Sequence, residues 1–167
     1  PLVLHLRKNI TDKQDLLKSF SLLESFLALR QICKFTTKNY NNLFIQIIRT
    51  LDKPVDKVDP TTIDISSAHL REILSGFSEF GNRFPTELEV VEAVNTSVLS
   101  NKQAGEILFL IALKDIDSEY SDSKTLSSKS FSVEHMMPKK WEENWGAPNF
   151  DELDKYKRKQ KLLTLGN

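Results

Sequence analysis

Apolar residues recur along most of the chain at steps of three and four, the spacing that gathers side chains on one face of an α-helix. Leu2 to Asn9 reads as the tail of a helix closed by Asn9-Ile10, and Thr11 or Asp12 then offers an oxygen to the unpaired amides of the next first turn. Beyond that cap, Leu16, Phe20, Leu23 and Leu27 form one stripe, and Leu22, Phe26, Leu29 and Cys33 form a second beside it. Two adjacent stripes predict a helix buried over a wide face. Tyr40, Phe44, Ile47, Ile48 and Leu51 make another helical face that ends near Pro54, and the stretch from Lys53 to Asp64, with Pro54 and Pro60, reads as a loop. A third helix, capped by Ser66 or Ser67, turns Leu70, Ile73, Leu74 and Phe77 inward.

Phe80-Gly81-Asn82-Arg83-Phe84-Pro85 is a turn, and Thr86 and Glu89 follow at capping-box spacing, opening a helix through Val90, Val91 and Val94. Ser100 or Asn101 starts the most apolar helix, with Ile107, Leu108 and Ile111 on one side and Phe109, Leu110, Leu113 and Ile116 on the other. A helix apolar nearly all round is expected at the centre of its domain. The pattern stops from Asp117 to Ser130, where Ser, Asp and Lys replace large apolar residues. The expected architecture is mainly α: a helical bundle over 1–120, a flexible linker over 121–130 and a separate element over 131–167.

Composition narrows the class. A chain of 167 residues suits one domain or a domain with part of a second, and 40% apolar with 28% charged residues marks it as folded and water-soluble. Basic and acidic residues balance at 23 each, so attraction to nucleic acid has to come from a local patch rather than the overall field. The single cysteine, Cys33, forms no internal disulfide and fits a reducing compartment. There is no signal peptide and no apolar run long enough for a bilayer, which points to a cytoplasmic protein with no membrane partner. A start at Pro1 and an end directly after Gly166 suggest a fragment of a longer protein.

The sequence contains no internal repeat, phosphate-binding glycine loop or nucleophile motif. Arg30, near the end of its apolar surface, either snorkels to solvent or meets a neighbouring domain or a phosphate. His69 has no metal-like spacing to another donor and reads as a surface or satisfied histidine.

The chemistry concentrates in Ser132-Val133-Glu134-His135-Met136-Met137-Pro138. Phe131 and Val133 alternate with Ser132 and Glu134 as in a short half-buried strand, and Pro138 ends any regular continuation. Neighbours on a strand face opposite ways, so Glu134 and His135 share a site only where the strand ends or bends. Histidine there suits general-base work near neutral pH, and the carboxylate is a hard ligand for a cation such as Mg²⁺. The other reading is an ordinary Glu-His pair on a surface strand. Lys155, Lys157, Arg158, Lys159 and Lys161 form a basic run that reads either as a contact to a nucleic-acid backbone or as a solvated helix face. Trp141 and Trp145 are read as a hydrophobic anchor or, alternatively, as a base-stacking platform.

Val133-Glu134-His135-Met136-Met137-Pro138, followed by Trp141, Trp145 and Leu163-Thr164-Leu165-Gly166-Asn167, resembles the His-Me finger (HNH-type) nuclease domain at the C-terminus of GmrSD-like restriction proteins. Leu22 to Cys33 also resembles a helix of those proteins with a "leucine, glutamate, serine … arginine, isoleucine, cysteine" pattern. The resemblance implies a ββα-metal element in which His135 is the general base and Glu134 binds or organises a divalent ion, Mg²⁺ or Mn²⁺. Asn167 would orient His135 from a second strand, and Pro138 would be structural. In the family an asparagine and a lysine follow on a later helix, so the element over 131–167 is expected to be truncated. Glutamine often follows the proline in the family, where this chain has Lys139.

The function implied is that of a metal-dependent DNA endonuclease in a modification-dependent restriction or phage-defence system. DNA and an N-terminal nucleotide-binding domain of the same parent chain are the expected partners, and the isolated fragment is expected to be inactive. The alternative is a non-catalytic helical module that docks a partner or DNA through a degenerate finger.

Overall fold

A computed structural model of the chain describes residues 1–55, 61–115, 131–138, 140–144 and 150–165. Contacts divide the chain into two compact units, Pro1–Thr86 and Glu87–Asn167. The linker expected at 121–130 lies outside the described residues.

In the first unit α1 (Leu2–Asn9) packs on α2 (Lys13–Ile32) and α3 (Tyr40–Leu51), and α4 (Ser67–Gly76) packs on both α2 and α3. The faces expected from the apolar spacing meet in one core that includes Leu6, Leu22, Leu23, Phe26, Ile47, Leu51, Leu70 and Leu74. Leu43, which the pattern had not singled out, is also fully buried there. Local chemistry sets the helix starts. The Asp12 carboxylate accepts the Asp15 amide at 2.7 Å, and the Ser66 hydroxyl accepts the His69 amide at 3.2 Å. Asp15 in turn accepts the Ser67 amide at 3.0 Å and the Ser67 hydroxyl, which ties α2 to the first turn of α4. His69 is satisfied, with Nδ1 2.6 Å from the Asp64 carbonyl.

Arg30 does not snorkel. Its side chain is completely buried, and its guanidinium donates to the carbonyls of Gly81 (2.7 Å), Arg83 (2.8 Å) and Thr36 (3.2 Å) and to the Tyr40 hydroxyl (3.3 Å). The rings of Phe26, Phe35 and Tyr40 surround it with centroids 5.2 to 5.4 Å away. Carbonyl dipoles and aromatic faces compensate the charge, which is why the cation can sit at the end of an apolar face.

The second unit contains α5 (Glu87–Thr96), α6 (Asn101–Asp115), a single turn α7 (Trp141–Asn144) and α8 (Glu152–Lys161). α5 packs on α8, and the Leu99 amide between α5 and α6 donates to the Leu163 carbonyl at 2.9 Å. Ser100 caps α6: its hydroxyl accepts the Gln103 amide at 3.3 Å while Gln103 Oε1 accepts the Ser100 amide at 3.1 Å. The expectation that this helix is central does not hold. Ile107 is buried, but Leu108, Ile111 and Leu113 are each more than 40% exposed. Among the described residues there is no β-strand beyond an isolated Pro54–Ile63 bridge, and no helix is long and apolar enough to cross a membrane.

Candidate active site

The segment Phe131–His135 runs over α6 at Gly105. A Cβ at that position would lie 3.2 Å from Val133 Cγ2, so the bare glycine permits the close approach. One turn further along, the Phe109 and Phe131 rings meet with centroids 6.1 Å apart. The segment has no ladder partner among the described residues, so the expected strand is absent. Its natural partner, the stretch after α8, turns instead: the Leu163 amide donates to Gln160 and the Thr164 amide to Lys161, both at 3.1 Å, and the Leu163 carbonyl is taken by Leu99.

Both halves of the sequence motif nevertheless reach one place. Val133, Glu134, His135 and Met136 line a cavity of about 200 Å³ together with Leu162, Leu163, Thr164 and Leu165, and Leu99, Ala104 and Leu108 complete its wall. His135 is half-buried there, while Glu134 is exposed and accepts the Ser132 hydroxyl at 3.3 Å. Glu134 also borders a larger apolar groove of about 820 Å³ between α6 and the Phe131–Glu134 segment. An imidazole at the edge of a small cavity beside an exposed carboxylate is able to take a proton from a bound water.

Asn167, expected to orient His135, lies outside the described residues, as do Lys139 and Trp145. Among the described residues no group of three or more His, Cys, Asp or Glu side chains stands ready to hold a metal ion. Glu134 and His135 alone do not make a divalent-cation site.

The basic run lies on α8, whose first turn is capped by Asp151 through the Asp154 amide at 2.7 Å. Lys155 is paired with Glu152 at 2.8 Å, a hydrogen bond that raises its pKa above the ordinary lysine value. Lys159 lies 4.0 Å from Glu142 of α7. The Arg158 guanidinium sits 4.2 Å from the Phe150 ring centroid and 5.3 Å from that of Trp141. Trp141 is buried against Phe150, and its indole N–H has no hydrogen-bond partner among the described residues. Lys157 and Lys161 are exposed and make no ion pair among the described residues. The spacing of charges alone gave no sign of the Arg158 stack. Its sequence signal is the pair of aromatic residues, Trp141 and Phe150, upstream of the helix.

The second unit thus sets a histidine and a carboxylate on one cavity and carries a basic helix, α8. Residues 86–167 match the family described as GmrSD restriction endonucleases, C-terminal domain, and this stretch belongs to that family. The second unit is thus the C-terminal region of a GmrSD-like type IV restriction protein. No curated protein and no solved structure matches the chain.

Proposed function

We propose that the second unit is the DNA-cleaving part of a modification-dependent restriction endonuclease, with His135 as the general base. The observation that carries this reading is the cavity on which Glu134 and His135 meet Leu163 and Leu165, which stand nearly thirty positions later in the sequence. Neutral imidazole accepts the proton of a water molecule as its oxygen attacks phosphorus, and the sugar oxygen departs on the opposite side. Glu134 is the anionic neighbour that stabilises the imidazolium so formed, and Asn167 orients the ring. Family kinship supports a requirement for Mg²⁺ or Mn²⁺, with donors additional to Glu134. The parent chain pairs this unit with a nucleotide-binding domain.

Plasmid nicking by the full-length protein with Mg²⁺ or Mn²⁺, compared with His135→Ala, tests the assignment. The variant is expected to lose at least about a hundredfold in rate, the usual contribution of a general base. Equal nicking by both proteins removes His135 from the mechanism. The absence of a three-donor cluster among the described residues favours a second reading, a finger that docks DNA without cutting it. Retained DNA binding with no cleavage by the wild-type protein at any divalent-ion concentration would select that reading.

A further inference from the structure

The five cations of α8 are not equivalent. At roughly 100° per residue, Lys155, Arg158, Lys159 and Leu162 share one face of the helix. Leu162 on that face is buried, and each of the three cations is already engaged: Lys155 with Glu152, Lys159 with Glu142, and Arg158 with the rings of Phe150 and Trp141. Lys157 and Lys161 stand one turn apart on the opposite side, both exposed and unpaired among the described residues. Exposed Tyr156 and Leu153 border them.

We propose that Lys157 and Lys161 are the DNA phosphate contacts of this unit, whereas Lys155 is neutralised within α8 by Glu152, and Arg158 and Lys159 fasten the helix to Trp141, Phe150 and Glu142. The assignment rests on the nuclease reading and sharpens where the substrate lies. A cation held by a carboxylate has to give up that partner before a phosphate gains, and Arg158 would have to leave two aromatic faces. Lys157 and Lys161 give up only water. Residues four apart on a helix are 5–6 Å apart at Cβ, so the two ammonium groups serve neighbouring phosphates of one strand. Each such contact releases condensed counterions, which gives the division a distinct signature in salt dependence.

The test uses the full-length protein and a fluorescent DNA duplex, with affinity measured by anisotropy across a salt series. Lys157→Ala/Lys161→Ala is expected to reduce the slope of log K against log salt by about 1.8, or about 0.9 for each lost contact. Lys155→Ala/Lys159→Ala removes the same charge from the same helix and is expected to keep the wild-type slope. Circular dichroism checks that both variants are folded. Equal slope losses in the two variants, or a loss confined to the second, would overturn the division. Wild-type protein that binds no DNA at any salt would instead sink the nuclease reading on which it rests.

Discussion

Replacing Arg30 by Met keeps the length and most of the volume of the side chain while removing every donor. The guanidinium makes two short hydrogen bonds to the turn at Gly81 and Arg83, at 2.7 and 2.8 Å, and these carbonyls lose their partner in the variant. A hydrogen bond to a charged group contributes about 1.5–3 kcal/mol, so two give about 3–6 kcal/mol. The lower end applies, because Gly81 and Arg83 are only half-buried and water can reach part of the exposed acceptors. Methionine also recovers some dispersion against Phe26, Phe35 and Tyr40. The expected loss is about 3 kcal/mol. Urea denaturation followed by far-ultraviolet circular dichroism measures it. Arg30→Met should lower the midpoint of the dichroism transition. A variant within about 0.5 kcal/mol of wild type, the range of neutral surface changes, would show that these hydrogen bonds do not hold the turn.

The Asp15 carboxyl is held below the ordinary aspartate value first by the Ser67 hydroxyl and then by the Ser67 amide. A depressed folded-state pKa stabilises fully above the unfolded value of about 3.9 and is lost as pH falls through the folded value. Ser67→Ala should therefore cost about 1 kcal/mol at neutral pH and flatten the acid side of a stability profile measured by urea melts, since the amide bond alone remains. An unchanged acid slope would count against the hydroxyl. Gly105→Ala should change stability by less than about 1 kcal/mol, because the helical gain offsets a small shift of Val133, whereas Gly105→Leu should displace the 131–135 segment and lower nicking more than the melting temperature. Full nicking activity in Gly105→Leu would show that this approach does not position His135.

The helices were legible because what makes them is local. Apolar spacing located α2, α3 and α4, and Asp12, Ser66 and Ser100 were all among the caps read from sequence. The environment of Arg30 was not legible, since its principal acceptors are backbone carbonyls 51 and 53 residues away and backbone atoms leave no trace in residue type. The alternation at Phe131–Glu134 suggested a strand, but a strand exists only with a partner, and an isolated stretch of sequence says nothing of who pairs with it. Periodicity likewise identified α6 as apolar all round without showing that Leu108, Ile111 and Leu113 stay exposed. Adjacent Glu134 and His135 before Pro138 were readable as a site, while the cavity they share with Leu162–Leu165 required the fold.

Where the second unit begins bears directly on what the site is made of. Composition marks a change only after Asp117, because a run of Ser, Asp and Lys announces itself whereas a change of packing partner between two amphipathic helices does not. The contacts divide at Thr86, and the family match starts at that same residue. The chemistry agrees with the earlier division. Leu99 holds Leu163 by its amide, Gly105 admits Val133, Phe109 meets Phe131, and Ala104 and Leu108 line the cavity together with His135. α6 is therefore the floor on which the His135 segment lies. Gly105 and Phe109 meet the segment, while Ile111 and Leu113 remain exposed.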